Sequence, residues 1–195
     1  AQALINDYPE VLHVTRVRPM GARLIGFGDK KFNEDGVLFV DSTFFDVLDF
    51  KFLMGDPKTA LVRPRSMVLT KEYAEKYFGN LDPVGQKVTV ESDTVLYTVT
   101  GVIRNVPDNS HIKFDILASM STYPGQANDQ FWISHNYYTY IVAQEGISQE
   151  ALLEKFQGMV EKYVGPQLQD AIGMTVDDFR KAGNEFRYGL EPLKD

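Results

Sequence analysis

The sequence predicts an α+β fold, and three features carry that prediction. Residues Ser66–Val90 contain in turn a short apolar strand, a helix, a turn and an alternating strand. A longer helical pattern follows at Ser148–Val164. Elsewhere strands and helices are mixed without the strict alternation of a doubly wound sheet, so α+β is favoured over that architecture.

The helix of the central stretch has defined ends. Thr70 can accept a hydrogen bond from a free amide of the first turn, which predicts a helix at Lys71–Phe78. Its apolar residues recur at three- and four-residue spacing and give it one buried face. Gly79 follows where helices commonly end in a left-handed residue, a conformation that glycine adopts at little cost.

A chain reversal is predicted directly after this helix. Asp82, Pro83 and Gly85 occupy the first, second and fourth positions of a type I turn. Val88 and Val90 then alternate with polar residues, as in a strand with one exposed face. We therefore single out four residues as fold-determining and not as a reaction site: Phe78, Gly79, Pro83 and Gly85.

The residues before this stretch are predicted to be mainly β. Ala1–Glu10 is expected to be a frayed lead-in or the stub of a helix. The other elements, in order, are strands at Val11–Val17, Leu24–Phe27 and Val37–Val40, a turn at Asn33–Gly36 and a brief helix capped by Ser42, closed by Gly55–Pro57.

The residues after it combine strands, one long loop and helices. We expect strands at Leu96–Ile103, Phe114–Leu117 and Tyr137–Ala143, a loop at Ser121–Gln130 anchored by Trp132, the Ser148–Val164 helix stopped by Gly165 and Pro166, a short helix at Thr175–Lys181 and a closing strand at Phe186–Leu190.

Composition excludes several function classes. The 195-residue chain has a net charge of −7, which argues against binding to nucleic acid or anionic lipid. It contains no cysteine, so disulfides, thiolate nucleophiles and zinc–thiolate sites are excluded. No apolar run reaches the roughly 20 residues that span a bilayer. Without an initiating methionine or a signal peptide, the chain is expected to be an excised or processed piece.

Motifs for catalysis and cofactors are missing from the sequence. There is no GxxxxGK[ST] or GxGxxG motif, so binding of ATP or a dinucleotide in the usual cradle is not expected. His13, His111 and His135 do not have the spacing of a metal site. No serine lies in a GxSxG elbow. The 27 acidic residues leave an acid/base hydrolase open as an alternative.

An aromatic group marks residues 131–140. Trp132, Tyr138 and Tyr140 are candidates for a partner surface, with Phe131 and Tyr137 nearby. Core or cross-strand packing is the default explanation for Tyr138 and Tyr140, which share one strand face. The alternative is a stand-alone module that binds carbohydrate or peptide.

Four stretches in order resemble the periplasmic core domain of MacB-type and FtsX-like ABC transporter permeases. They are Ala74–Gly79 with Asp82–Gly85, Val40–Phe45 with Phe52–Asp56, Tyr97–Ile103 with Asn105–His111, and Asn136–Ile141. The resemblance extends from about Val11 to the end of the chain.

This resemblance implies a fold of two subdomains and a non-catalytic role. The larger subdomain would comprise residues 1–81 and 136–195, with a smaller β-rich one, residues 82–135, inserted in it. The domain would face the periplasm from the bacterial inner membrane and relay ATP-driven motion to a substrate or partner. ATP would bind a separate cytoplasmic ATPase, with no cofactor here. Other implied partners are the transmembrane part of the same permease chain, a second copy in a dimeric transporter and a periplasmic protein, but no nucleic acid.

Overall fold

The computed structural model describes residues 1–123, 125 and 131–193, with the backbone alone for residues 92–94. Its ten strands form one sheet. They are β1 (Val11–Pro19), β2 (Arg23–Phe27), β3 (Lys30–Glu34), β4 (Val37–Val40), β5 (Phe52–Gly55), β6 (Ser66–Thr70), β7 (Lys87–Val90), β8 (Ser92–Ile103), β9 (Ile116–Ser119) and β10 (Tyr138–Ala143).

The sheet is mixed, which confirms the α+β class. Its order is β10-β1-β4-β9-β6-β8-β7-β2-β3, and β5 pairs with β8 beside this path. The pairs β4–β9 and β6–β8 are parallel, whereas the other neighbours are antiparallel. Because β9 lies between β4 and β6, the sheet continues across the residue 81/82 and 135/136 boundaries. The division into two subdomains stays a prediction.

The helices cover the sheet and are short. They are α1 (Gln2–Asp7), α2 (Phe44–Val47), α3 (Lys71–Phe78), α4 (Gln149–Met159), α5 (Gly165–Ile172) and α6 (Val176–Lys181), with a π turn at Val160–Val164 and a 3₁₀ turn at Met120–Thr122. None of these helices is long and apolar enough to cross a bilayer.

Strand residues alternate between cores on the two faces of the sheet. Met67 and Leu69 of β6 pack under α3 with Tyr77 and Phe78. Val68, between them, faces the opposite core, which α2 and residues 60–61 cover. A third core joins α1 and α4 to β1 through Leu4, Val14 and Phe156, among others. The period-two side-chain direction of strands thus builds a sheet with packed layers on both sides.

The two outermost strands differ in charge. Neither β10 nor β3 pairs on its outer edge with another strand of the described chain. The edge strand β3 carries Lys30, Lys31 and Glu34, whereas Tyr138–Ala143 contains no charged residue. Charged side chains commonly protect a sheet edge from pairing with a further strand. Of these two edge strands, only β3 has this protection.

The central helix has the predicted bounds, Lys71–Phe78. Gly79 has a φ of 61°, which confirms its positive-φ conformation. Thr70 precedes the helix but makes no side-chain capping bond. The following turn is shifted by one residue, because the N–H of Gln86 donates to the carbonyl of Pro83 at 3.1 Å. Gly85, with a φ of 88°, is therefore the third residue of this turn.

Several other expectations were wrong. The long helix does not stop at Gly165 and Pro166 but continues as α5 to Gly173, which has a φ of 71°. Residues 186–190 form no strand. Of the two alternatives given for Ala1–Glu10, a frayed lead-in is not observed, whereas a helix is, as α1 with buried Leu4. The predicted turn at Asn33–Gly36 begins inside β3, and β5 was also missed. Of the predicted loop Ser121–Gln130, residues 124 and 126–130 lie outside the described part.

Candidate functional site

Asp7, the last residue of α1, is held by two consecutive residues of the π turn. Its Oδ2 accepts hydrogen bonds from Lys162 Nζ at 2.7 Å and from the Tyr163 hydroxyl at 2.6 Å. These two hydrogen bonds hold the pKa of the Asp7 carboxyl below its ordinary value. A second ion pair, between Glu10 and Lys155, fastens the α1–β1 connection to α4. The start of the chain is therefore tied to the C-terminal helices.

Tyr163 connects Asp7 to Trp132. The Trp132 and Tyr163 rings stack with their centroids 4.4 Å apart and their planes at 14°. The Trp132 N–H of the backbone donates to Gln167 Oε1 at 2.8 Å, which attaches the same residue to α5. We call the continuous series of contacts through Asp7, Lys162, Tyr163 and Trp132 the Asp7–Trp132 path. It joins α1 to the segment that precedes β10.

The π turn explains why the helix passes through Pro166. The Gly165 N–H donates to the carbonyl of Val160, five residues earlier, instead of to the residue four before it. Pro166 is the second residue of α5, in the first turn, where a missing N–H costs little. π turns occur frequently at functional sites, and this one carries both contacts to Asp7.

A groove opens on the face of the sheet opposite α3. It has a volume of about 590 Å³ and is lined by residues that include Thr59, Val62, Arg63, Ser66, Val84 and Thr98. One wall is the segment of residues 59–66, and the other is the turn at Gly85, whose N–H donates to the Val99 carbonyl at 2.8 Å. We call this feature the β8 groove, because β8 forms its floor.

A bulge in β8 lies at the groove. Met67 pairs with Val99 and Val68 pairs with Gly101, so Thr100 is the extra residue of the bulge. The Thr100 hydroxyl is 2.7 Å from the carbonyl oxygen of Ala60 and 3.0 Å from that of Met67, and it can donate to either. The contact with Ala60 links the 59–66 segment to the sheet.

The four fold-determining residues lie on both sides of the sheet. Phe78 is buried and meets Phe27 edge to face at 4.5 Å, and Gly79 ends α3 beside it. Pro83 is buried, whereas Gly85 lines the β8 groove. Their role as fold-determining residues, and not as a reaction site, stays a prediction.

The residues around Phe78 include a buried ion pair that the sequence did not indicate. Glu34 has a side chain that is 3% exposed and accepts from Lys76 Nζ at 2.8 Å. The Tyr77 hydroxyl also donates to Glu34, and burial together with this carboxylate raises the pKa of Tyr77. Lys76 Nζ lies 4.6 Å from the ring centroids of both Phe32 and Tyr73. The Glu34 carboxylate is thus occupied by internal partners.

The candidate partner surface is divided between two faces of the molecule. Trp132 packs with the cores of the C-terminal helices, while Tyr140 packs with the α2 core and lies 5.5 Å from His111. Tyr138 is 64% exposed. The structure therefore does not bring Trp132 together with the two tyrosines, and the use of these three residues for a partner stays a prediction.

Sequence reasoning missed the residues of the Asp7–Trp132 path other than Trp132. Lys162 and Tyr163 are consecutive residues of the predicted Ser148–Val164 helix, and the π turn brings both to Asp7. The Arg63-Pro64-Arg65 run lies beside the β8 groove. It was a local sequence signal of clustered positive charge that was not recognised.

Comparison with known proteins gives one family and several similar structures. The family model of the MacB-like periplasmic core domain matches residues 1–159. A domain assigned to a permease protein from Porphyromonas gingivalis superposes with a TM-score of 0.72 at 24% identity, covering 84% of this chain and 75% of that one.

Two other structures share the fold at lower identity. The periplasmic region of MacB from Actinobacillus actinomycetemcomitans has a TM-score of 0.55 at 15% identity, covering 91% of this chain and 78% of that chain. The extracellular domain of the ABC-type transporter YknZ from Gram-positive bacteria has a TM-score of 0.51 at 15% identity, with coverages of 85% and 79%. A comparison with curated protein sequences finds no match.

Proposed function

Because this chain belongs to the MacB-like periplasmic core domain family, we propose that it is a non-catalytic, periplasm-facing domain of an ABC transporter permease. In this proposal it relays motion driven by a cytoplasmic ATPase to a substrate or partner outside the inner membrane. Its neighbours would be the transmembrane part of the same permease and a second copy of it. ATP would bind the ATPase, with no cofactor in this domain.

The Asp7–Trp132 path is the observation that supports a mechanical role. α1 lies at the start of the chain, and its last residue is bonded to Lys162 and Tyr163. A displacement of α1 would strain these two hydrogen bonds. Through the Tyr163 ring, the displacement would also reach the stacked Trp132. A relay needs a stiff body with contacts that can repack between two arrangements, and in this proposal the π turn is where they repack.

Hydrogen–deuterium exchange on the complete transporter tests this relay. With and without a non-hydrolysable ATP analogue, we expect exchange to change both in α1 and in residues 131–133. In the double variant Asp7→Asn and Tyr163→Phe, the change in α1 should remain and the change in residues 131–133 should disappear.

The control for this experiment is Asp170→Asn, which changes an exposed carboxylate on α5. It should behave as the unmodified transporter does. If the nucleotide leaves exchange in this domain unchanged, or if the double variant still transmits the change to residues 131–133, the relay is refuted.

A further inference from the structure

Four exposed cations lie at or next to the β8 groove. Arg63 lines one wall, Lys58 and Arg65 are sequence neighbours of the lining residues Thr59 and Ser66, and Lys87 begins β7 on the other side. In the part of the chain that the structure describes, none of the four has a carboxylate within ion-pair distance. This positive rim stands out on a protein whose net charge is −7.

Strand register places these cations on both sides of the groove floor. Thr98 of β8 pairs with Ser66 of β6 on one side and with Lys87 of β7 on the other. Residues directly opposite each other in a sheet point to the same face, so the three side chains share the groove face. The backbone of Arg65 lies beside Thr98, because the Arg65 carbonyl accepts a hydrogen bond from the Thr98 N–H at 2.8 Å.

The neighbouring acidic groups leave the rim positive. The Asp56 carboxylate accepts from the backbone N–H of Lys58 at 3.0 Å, and the Asp82 carboxylate accepts from that of Val84 at 3.0 Å. Of these charged residues, Arg63 alone lines the groove, and the others lie next to it. Four cations therefore stand beside two carboxylates that already accept local turn hydrogen bonds.

The lining of the groove is mixed in polarity. It includes two exposed apolar residues, Val62 and Val84, which are 52% and 36% exposed. It also includes the hydroxyl-bearing Thr59, Ser66 and Thr98. The volume of about 590 Å³ is within the range of ligand sites. This lining suits an extended segment whose acidic side chains would reach the cations while its apolar side chains touch the two valines.

Two other occupants fit less well. A second copy docked through the same face about a two-fold axis would place like charges opposite each other, because an isologous interface pairs a patch with itself. A bilayer surface is broad and flat, whereas this site is a concave groove with a wall on each side of β8.

We propose that the β8 groove binds an extended acidic segment of a partner protein, with Arg63 and Lys87 pairing with its carboxylates from opposite walls. This site is separate from the Asp7–Trp132 path, so the inference stands or falls independently of the relay.

Fluorescence anisotropy tests the proposal with a labelled hexapeptide in which Glu alternates with Val. We expect the purified 195-residue chain to bind it. The double variant Arg63→Glu and Lys87→Glu should lose affinity by about tenfold or more, since two attractive contacts become repulsive. Raising the salt concentration to about 1 M should weaken binding of the unmodified chain, because the Debye length falls to roughly 3 Å.

Matched controls separate this site from general charge effects. Lys181→Glu, on exposed α6, makes the same change of charge per residue away from the groove and should leave affinity unchanged. A Lys–Val hexapeptide should not bind. The proposal is overturned if the Glu–Val peptide shows no binding up to millimolar concentration, if the double variant binds it equally, or if phosphatidylglycerol vesicles bind the chain where the peptide does not.

Discussion

At the scale of single residues, Gly79 shows how one backbone angle ends a helix. Its φ of 61° lies in the left-handed region, while a Cβ added there would meet no atom within 4 Å. The requirement for glycine thus comes from the backbone conformation and not from lack of space. For this reason the position could be predicted from its place after Phe78 alone.

The first prediction concerns this glycine. Gly79→Val should lower the free energy of unfolding by about 1 kcal/mol or more, because a β-branched residue resists positive φ. Gly158→Ala, at an open position inside α4, should instead raise it by about 0.5–1 kcal/mol. Chemical denaturation of both variants measures the difference, and equal effects of the two would contradict the left-handed conformation.

The second prediction concerns Glu34. Glu34→Ala should lower the free energy of unfolding by about 3 kcal/mol, because it leaves Lys76 and the Tyr77 hydroxyl without their acceptor. Glu75→Ala removes an ion pair whose two side chains are 60% and 62% exposed, and should cost about 0.5 kcal/mol or less. Urea titration distinguishes the two, and a loss below 1 kcal/mol for Glu34→Ala would show that this pair contributes little.

Local signals account for what was and was not foreseen at this scale. Gly79 and Gly85 were recognised because turns and helix ends impose glycine within a few residues. Glu34 was not, since its partners Lys76 and Tyr77 lie 42 and 43 residues away in the sequence. Nothing in the sequence around Glu34 marks it as a buried carboxylate.

At the scale of elements, the union of α1 with the π turn depends on the charge of Asp7. The pKa of this carboxyl is lowered by hydrogen bonds from Lys162 and Tyr163. A depressed pKa means that the ionised group stabilises the fold above its unfolded pKa, and that this contribution is lost as pH falls through the lower, folded pKa.

The third prediction follows from that sign. As pH falls below the ordinary carboxyl value of 3.8, the emission of Trp132, the single tryptophan, should change as Tyr163 loosens. Asp7→Asn should shift the emission at neutral pH toward that acid form and reduce the acid transition. Fluorescence titration measures both. Identical titrations of the two proteins would mean that Asp7 does not control the stacking of Trp132 on Tyr163.

The elements themselves were predictable where their limits are local. Helix α3 was predicted with its observed bounds, Lys71–Phe78, from the flanking residues Thr70 and Gly79. Gly165 and Pro166 were misread as a stop, because the i to i−5 hydrogen bond that admits proline has no sequence signal. Strand β3, with two lysines and an asparagine, has no apolar alternation and forms by pairing with β2.

At the scale of the whole molecule, the order of strands brings distant segments to common surfaces. Residues 59–66, the 82–86 turn and β8 meet because β6 and β7 lie on the two sides of β8. The fold class followed from the pattern of elements, but this order could not, since it depends on packing between segments far apart in sequence. For the same reason neither the β8 groove nor the Asp7–Trp132 path was foreseen.

The contrast between the two outer strands has a consequence for solution behaviour. Backbone groups on a neutral edge accept further strands more readily than those beside lysines, which repel their own kind. In concentrated samples, self-association of this protein should therefore start at Tyr138–Ala143 and spare Lys30–Glu34. Aggregates are therefore expected to grow by strand addition at the β10 edge and not at the β3 edge.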